Sequence, residues 1–562
     1  MKLSWKLFQQ KEIRKIQYLV LFMMLNLVEW LKATQTGDVW KVAVNISGII
    51  VLLLVMSAYS RKELICRFSK SIALGCMVAM AAVYGYWYLH QGSFLVWQYL
   101  TAIINVGLIA IVMWALYRRY RRGELRKPKL DLTGILWLVL SALMILSVSG
   151  RLWPVWYLLI YGMFYLTEYS TEDKEALTSG MVEGTILSFF FMQAYAFGFR
   201  PYDEVRYKGP LSNCNMTALY YLIVYCMVLV KLHWLHLEKA SGWIKSFFLL
   251  LAGVLLGFQF MTLCRTAWLS AIAVTFVYGI WIMMRLWRDK LIVLLGKAVL
   301  LGVVTLAAFL PVFYSARWLP TILHHPVWYE GEWSEEKIHS FDPANSEKYV
   351  TLGEFLETAI GRFALIFTGT AEPEQTVDLK PQETKAPVDV TQTVIIEENS
   401  KKPAAKEQSN DTQQEIITAA TDNLPILTGK REYTSSEIRV AIFKAYWNDL
   451  NLWGHSEKEG YYQITKDYKC WHAQNLWLQI AYYFGIPAGM IAIILTIVLI
   501  AFYLKRGWQS RLDARYGVLP LLIVVLYFSF GIMEVVWNPG QLVFCLVFLV
   551  QHPGIVRNSE RE

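Results

Sequence analysis

The stretch LIVLLGKAVLLGVVTLAAFLPVFY, residues 291–314, is apolar along nearly its whole length and contains one charged side chain, Lys297. An apolar run of roughly 17–25 residues is long enough to cross the hydrocarbon core of a bilayer, which is about 30 Å thick. In lipid such a run must be helical, because every backbone amide needs a partner within the segment. The stretch therefore predicts a transmembrane helix.

Comparable runs recur along the chain, of which 56% of residues are hydrophobic and 17% charged. Soluble proteins are nearer a quarter charged. The pattern predicts an all-α, polytopic helical membrane protein with about 12–14 transmembrane helices and one large extracytoplasmic loop. The predicted spans are 16–32, 42–59, 71–89, 95–117, 132–149, 152–168, 176–197, 216–236, 245–262, 266–284, 291–314, 476–504, 516–537 and 540–552. The first run lacks a small-residue cleavage site and is expected to remain as a span.

Basic residues precede the first span and recur in alternate connections, where the positive-inside rule predicts the cytoplasm. They are Lys2, Lys6, Lys11, Arg14 and Lys15, then Arg61, Lys62, Arg67 and Lys70, then those of 118–129, then Arg285, Arg288 and Lys290, and finally Lys505, Arg506, Arg511 and Arg515. The acidic stretch 167–174 is an exception that shares this side if the span count holds. The net charge of +9 is thus a topology signal and does not indicate nucleic-acid binding.

These signals predict a multi-pass protein of the cytoplasmic (inner) membrane with both termini cytoplasmic. Residues 1–314 form an N-terminal bundle of about eleven spans, 315–471 the extracytoplasmic loop, 472–552 the C-terminal spans and 553–562 a tail. Within the loop, apolar spacing predicts flanking helices at 349–367 and 435–452. The polar spacer 368–432 is predicted to be disordered, since it cannot bury enough apolar surface to offset chain entropy.

Seven cysteines are scattered singly without a CxxC pair, so no metal or redox motif is predicted. Three of them, Cys214, Cys264 and Cys470, are expected near the outer surface. A disulfide between two of these stays an open alternative, because pairing depends on their separation in the fold.

Two outer turns carry cations. The loop before residue 216 presents Arg206 and Lys208, followed by Asn215 at the start of a helix. Cations beside a helix N-terminus suit phosphate oxygens, although an interfacial loop is the simpler alternative. At the next outer turn, Arg265 is the only charged residue between Lys245 and Arg285. A lone guanidinium at the edge of lipid is a functional candidate, with a carboxylate partner such as Glu183 or Glu534 as the structural alternative.

Two further stretches border the end of the loop. Arg439 lies on the predicted helix 435–452, where a single arginine is usually only solvated. The stretch KCWHAQNLWLQIAYYFGIPAG, residues 469–489, brings His472, Gln474 and Asn475 to the mouth of an apolar run. In a helix that has already begun, His472, Asn475 and Gln479 share one face. Histidine can take a proton near neutral pH, while an interfacial aromatic belt is the structural alternative.

The sequence order of these elements, RYKGPLSNCN at 206–215, RTAW at 265–268, RVAIFKAYWNDLNLWG at 439–454 and HAQNLWLQIAYYFGI at 472–486, resembles the O-antigen ligase and polysaccharide polymerase superfamily. The resemblance implies a metal-independent, GT-C-type glycosyltransferase. Such an enzyme transfers glycan from an undecaprenyl-diphosphate-linked donor to an acceptor sugar outside the membrane, without a cofactor. It further implies that Arg206, Arg265 and Arg439, with Lys208, contact the diphosphate. Secondary substrate contacts are assigned to Asn215, Gln474 and Asn475.

The resemblance assigns the catalytic base to the histidine at the end of the loop. The family usually has histidine directly before asparagine, whereas here Gln474 occupies that position and His472 lies two residues upstream. His472 can substitute if the segment is extended but not if it is helical, so His455 is the reserve candidate. We expect a polysaccharide polymerase slightly ahead of a ligase. The expected partners are the lipid bilayer, the lipid-linked donor, the glycan acceptor and other polysaccharide-assembly proteins. A transporter or flippase of lipid-linked glycans and a non-catalytic envelope scaffold are the alternatives.

Overall fold

The structure is a computed structural model of the whole chain. It describes residues 2–34, 38–90, 95–124, 132–149, 159, 162–164, 166–199, 206–209, 211, 213–285, 291–323, 351–368, 435–456, 462–465, 468–470, 472–508 and 517–535. Four predictions lie mostly or wholly outside these residues: the span at 152–168, the spacer at 368–432, the last span at 540–552 and the tail at 553–562.

Helices dominate the described part of the chain. The first eight are α1 (Lys2–Thr34), α2 (Asp38–Met56), α3 (Arg61–Leu64), α4 (Arg67–His90), α5 (Leu95–Arg121), α6 (Leu132–Leu146), α7 (Thr171–Phe199) and α8 (Cys214–Leu237). The others are α9 (Gly242–Met261), α10 (Arg265–Arg285), α11 (Leu291–Leu323), α12 (Leu352–Thr368), α13 (Ser435–Asn448), α14 (Leu476–Phe484), α15 (Ile486–Trp508) and α16 (Val518–Gly531). A two-stranded antiparallel hairpin of β1 (Tyr462–Thr465) and β2 (Tyr468–Cys470) precedes α14.

Many of these helices are long and apolar enough to cross a membrane. Within the described residues there are seven: Arg67–His90, Val96–Arg121, Cys214–Leu237, Gly242–Met261, Arg265–Met283, Ile292–Ala316 and Ile486–Lys505. The shorter helices Val42–Met56, Leu132–Leu146 and Val518–Gly531 are apolar as well. These features confirm the coarse prediction of a polytopic helical membrane protein. The total of about 12–14 spans stays a prediction.

Helices α8 and α16 form the centre of the bundle. Of the apolar window of α8, 89% is buried inside the protein, so other helices rather than lipid surround most of it. Almost every residue of α16, from Val518 to Phe530, is buried too. Helix α16 packs against α8, α10 and α15. The ends of these two central helices are therefore surrounded by other elements.

Helix α1 packs along α7 through a pair of glycines. A Cβ atom on Gly180 would lie 2.5 Å from the Cβ of Tyr18, and one on Gly184 would lie 2.5 Å from the carbonyl oxygen of Leu19. Glycines four residues apart allow two membrane helices to approach until their backbones touch. This close contact brings the first span beside the seventh predicted one.

Ion pairs mark one end of the bundle. Arg14 of α1 pairs with Asp173 in the first turn of α7. At the same end, Arg119 near the end of α5 donates to Glu63 of α3, with 3.0 Å between Nε and Oε1. Tyr59, which lies under the Arg119 guanidinium at 4.0 Å, is also there. The acidic start of α7 thus lies among the basic segments whose side it was predicted to share.

The segment after α12 differs from prediction in three details. The helix predicted at 435–452 ends at Asn448. The span predicted at 476–504 is two helices, because Gly485 has a φ of +93° and separates α14 from α15. The hairpin was not expected in an all-α protein. It packs with α13 and α14 around Ile442, Tyr446 and Tyr482.

Candidate functional site

The loop between α7 and α8 is held against the end of α9. The Tyr207 backbone amide donates to the carbonyl oxygen of Met261 at 2.9 Å. Its buried ring stacks on Phe258, and its hydroxyl accepts from Gln193 Nε2 at 3.1 Å. Gly209, with a φ of +55°, then turns the chain toward α8. The residue before Tyr207 is thereby fixed in position.

That residue is Arg206, whose guanidinium joins two elements. Its Nε donates to the carbonyl oxygen of Thr262 at 3.2 Å, and its Nη2 donates to Asn215 Oδ1 at 2.7 Å. Thr262 belongs to the tight turn between α9 and α10, in which Leu263 has a φ of +51°. Asn215 stands in the first turn of α8, which Asn213 caps by accepting from the Asn215 amide. Arg206 and Asn215, predicted from one loop, therefore touch directly.

Asn215 also bonds to a residue that follows α16, one of the two central helices. Its Nδ2 donates to Glu534 Oε1 at 2.6 Å. Glu534 follows the end of α16 and is half-buried. A carboxylate at the end of a buried apolar helix loses water and must find polar partners. Here the amide of Asn215 supplies one.

Arg439 converges on the same carboxylate from α13. The positive charges of Arg439 and Arg206, with the Asn215 hydrogen bond, favour the ionised form of Glu534. Burial outweighs them and raises the pKa of Glu534 to about 6. The two arginines come from distant parts of the chain and are both half-buried. Two of the three predicted arginines thus act on one anion.

The third, Arg265, is the first residue of α10 and is half-buried. It directly follows Cys264, whose buried thiol lies within the electrostatic reach of both Glu534 and Arg206. Burial raises the pKa of Cys264 to about 12, so the thiol stays neutral. The start of α10 therefore borders the cluster. Cys214, Cys264 and Cys470 are all free thiols, which answers the question of a disulfide among them.

The segment before α14 adjoins the cluster through Asn475. Its Oδ1 caps α14 by accepting from the Leu478 amide at 2.9 Å, and its Nδ2 donates to the carbonyl oxygen of Ile532 at 2.8 Å. Ile532 lies two residues before Glu534. Because both ends of the Asn475 amide are engaged with protein, this side chain positions the helix rather than offering a free substrate contact.

The helix does not extend back to His472. The prediction that His472 shares one helical face with Asn475 and Gln479 is therefore wrong. Gln474 has a φ of +48°, which bends the chain just before the cap. Gln479 is buried and accepts from the Ala473 amide at 2.5 Å. The arrangement is neither of the two that the sequence left open, since the segment is a bend and not extended or helical.

His472 itself is exposed, and its imidazole makes no hydrogen bond within the described residues. Protein around it nevertheless displaces enough water to lower the pKa of His472 below 6.5. At neutral pH the ring is therefore uncharged, with a nitrogen lone pair able to take a proton.

His455, the reserve candidate, lies between α13 and the β1–β2 hairpin and is held by contacts to the protein. Its Nδ1 lies 2.9 Å from the carbonyl oxygen of Tyr482, and its ring stacks on the Tyr482 ring at 4.0 Å. Its Nε2 is 3.4 Å from Asp449 Oδ2, and Tyr462 donates to the same carboxylate. Only 8% of His455 is exposed. These contacts suit a structural histidine better than an accessible base.

Glu534 is the site residue that the sequence named only as a pairing alternative for Arg265. A signal was present, because an ionisable side chain directly after the apolar run 518–531 is costly unless it has a purpose. The other carboxylate named for that role, Glu183, pairs instead with Lys231 across α7 and α8. Lys231 was overlooked inside the predicted span 216–236.

No protein-family model, curated protein or solved structure matches the chain. What the cluster can do is therefore inferred from its own chemistry.

Proposed function

We propose that the protein is a glycosyltransferase of the cell envelope, which transfers glycan from an undecaprenyl-diphosphate-linked oligosaccharide to an acceptor sugar during polysaccharide biosynthesis. The observation that carries this proposal is the convergence of Arg206 and Arg439 on Glu534 at one end of the membrane bundle. Two guanidinium groups around a single, partly desolvated carboxylate leave positive charge for an anionic ligand. The end of a bundle is where the head group of a membrane lipid would sit.

The proposed side is the extracytoplasmic one. Helix α7 begins at the end that carries the Arg14–Asp173 pair and runs away from it, and Arg206 follows the opposite end of α7. Basic connections mark cytoplasmic ends by the positive-inside rule. This assignment agrees with the large loop 315–471 being external, and it is testable by the accessibility of single cysteines.

A diphosphate is a chemically reasonable ligand for this cluster. Asn215 in the first turn of α8 donates to Glu534, Cys264 just before α10 lies within its electrostatic reach, and Asn475 at the start of α14 donates to Ile532 two residues away. Helix N-termini favour anions through their backbone amides and dipoles. Arg265 begins one of these helices, and Lys208 adds a further cation beside another. The leaving diphosphate gains negative charge as the glycosidic bond breaks, which guanidinium groups can stabilise.

The proposed base is His472. An acceptor hydroxyl attacks the anomeric carbon of the donor, the bond from that carbon to the phosphate oxygen breaks, and the diphosphate leaves with the electron pair. His472 takes the proton of the attacking hydroxyl. Its exposure and its lowered pKa support this assignment over His455, which is buried and bonded on both ring nitrogens.

Reconstitution tests the proposal. Purified protein in vesicles, supplied with an undecaprenyl-diphosphate oligosaccharide and an acceptor glycan, is expected to release undecaprenyl diphosphate and lengthen the glycan without added metal. A strict requirement for Mg²⁺ would count against the arginine site. Movement of the intact donor across the bilayer without release of the diphosphate would favour the transporter alternative.

One observation bears on that alternative. The membrane part contains the ion pair of Lys231 and Glu183, in which 19% and 38% of the side chains are exposed. A transporter is expected to carry several ionisable groups along a pathway within its spans. Within the described part of the predicted spans, Lys231 and Glu183 neutralise each other, which suits a contact that fastens α7 to α8.

A further inference from the structure

The Glu534 carboxylate and a bound phosphate would compete for the positive charge of the same two arginines. It accepts from Asn215, which in turn accepts from Arg206, and it lies within reach of the charge of Arg439. A phosphate that binds to the same two arginines adds negative charge beside this carboxylate. Like charges at close range disfavour each other, so one of the two must be neutralised.

We propose that Glu534 is an internal counter-anion, which a bound phosphate replaces as the partner of Arg206 and Arg439 while Glu534 takes up one proton from water. This rests on the proposed function, since it assumes that these arginines bind phosphate. The balance is simple: one solvated proton is consumed and one O–H bond forms on the carboxylate. The carbonyl oxygen of the protonated acid can still accept from Asn215.

The surroundings of Glu534 make the protonated form accessible. Desolvation by the surrounding protein already raises the pKa of Glu534 to about 6. A phosphate that neutralises Arg206 and Arg439 removes the charges that favour the carboxylate, so the pKa of Glu534 must rise further. At neutral pH the Glu534 carboxyl group is then mostly ionised before phosphate binds and mostly protonated afterwards.

Among the described residues, few other groups around Glu534 change charge in this range. A guanidinium group carries a fixed positive charge at physiological pH. The Cys264 thiol stays neutral because burial raises its pKa to about 12. On the side of α14, where Asn475 holds Ile532, the titratable group is His472, whose pKa is lowered from 6.5. His472 must therefore be replaced in a parallel measurement.

The experiment is calorimetric titration of the full-length protein in nanodiscs with farnesyl-diphosphate-linked N-acetylglucosamine. Each phosphate of this probe carries one strongly acidic group, so the charge of the probe is constant between about pH 5 and pH 8. Heats measured in buffers of different ionisation enthalpy give the number of protons taken up. We expect nearly one proton at about pH 8 and almost none at about pH 5. The dissociation constant should rise by up to tenfold for each pH unit above about 6.

Glu534→Gln removes the charge and keeps an oxygen that accepts from Asn215. At about pH 8 this variant is expected to bind the probe about 10–100-fold more tightly than the wild type, without proton uptake. Glu63→Gln, which alters a carboxylate paired with Arg119 at the other end of the bundle, should retain the wild-type proton uptake. His472→Gln should retain it as well.

Each outcome separates the two proposals. Binding without proton uptake by the wild type, or unchanged uptake in Glu534→Gln, overturns the role of Glu534 alone. Binding with proton uptake but without glycan transfer in the reconstituted system overturns the glycosyltransferase and leaves Glu534 as proposed. Absence of binding overturns both. The wild-type measurement decides even if Glu534→Gln fails to fold.

Discussion

Asn215 Nδ2 lies 2.6 Å from Glu534 Oε1, so that a hydrogen bond joins the N-terminus of α8 to the chain just beyond α16. These are the two central helices of the bundle. The same amide accepts from Arg206, and Arg439 acts on the same carboxylate. Four side chains from three separate segments thus form one polar cluster.

Loss of either arginine of the cluster should impair donor use. Arg206→Ala and Arg439→Ala are each expected to lower kcat/KM for glycan transfer by about 100-fold or more. Removing a hydrogen-bond donor that stabilises developing charge in an enzyme has an effect of this size. Arg206→Lys should fall between, because lysine keeps the charge but not the paired N–H donors. Arg122→Ala, a partly exposed arginine at the other end of the bundle, serves as the control. Equal rates for all of these variants would remove the cluster from the mechanism.

The two ends of α10 offer a matched test of Arg265. Arg265→Ala is expected to abolish turnover and leave membrane insertion intact, since this residue borders the cluster. Arg285→Ala, at the opposite end of the same helix, should retain activity. Glycan transfer by the purified variants, normalised to their folded amount, measures both. A fully active Arg265→Ala protein would exclude this residue from phosphate binding.

The two histidines should respond differently to replacement. His472→Ala is expected to lower kcat by about 10²–10⁴-fold, the range for loss of a general base, with unchanged thermal stability. In the wild type at saturating donor, kcat should fall at acidic pH as His472 becomes protonated below 6.5 and stay level above it. The pH profile of kcat, with and without His472, tests the assignment.

His455→Ala should instead destabilise the packing of α13 and α14 around Tyr482. It leaves Asp449 and the carbonyl oxygen of Tyr482 without their shared partner, which costs about 1–3 kcal/mol of unfolding free energy. Thermal unfolding of the variant reports this loss directly. If His455→Ala unfolds like the wild type but loses turnover, the base assignment passes to His455.

Replacing glycine by alanine should change the free energy of unfolding in opposite directions at two helical positions. Gly184→Ala places a Cβ 2.5 Å from the Leu19 carbonyl oxygen, and the overpacking should destabilise the protein by about 1–3 kcal/mol. Gly302→Ala on α11 meets no atom within 4 Å and should be neutral or stabilising by roughly 0.5–1 kcal/mol. Thermal unfolding in detergent compares them. Similar unfolding midpoints would contradict the close packing of α1 on α7.

Several features of the site were predictable from local sequence. Arg206 and Asn215 are nine positions apart at one predicted outer turn, and an isolated arginine at the edge of an apolar run marks Arg265. The bend before α14 was not predictable. Whether Asn475 begins a helix depends on its bond to Ile532, which lies in a different span.

The sequence alone determined that the chain is a polytopic helical membrane protein, because apolar length and the need to satisfy backbone amides in lipid are local properties. Only the tertiary structure decided which charges meet. Glu534 and Arg439 come from segments whose proximity depends on the packing of α16 against α8 and α10 and on the position of α13. The break at Gly485 likewise depends on a neighbour, since a Cβ there would lie 2.1 Å from the Leu452 carbonyl oxygen. Contacts between distant segments follow from packing, which no local pattern encodes.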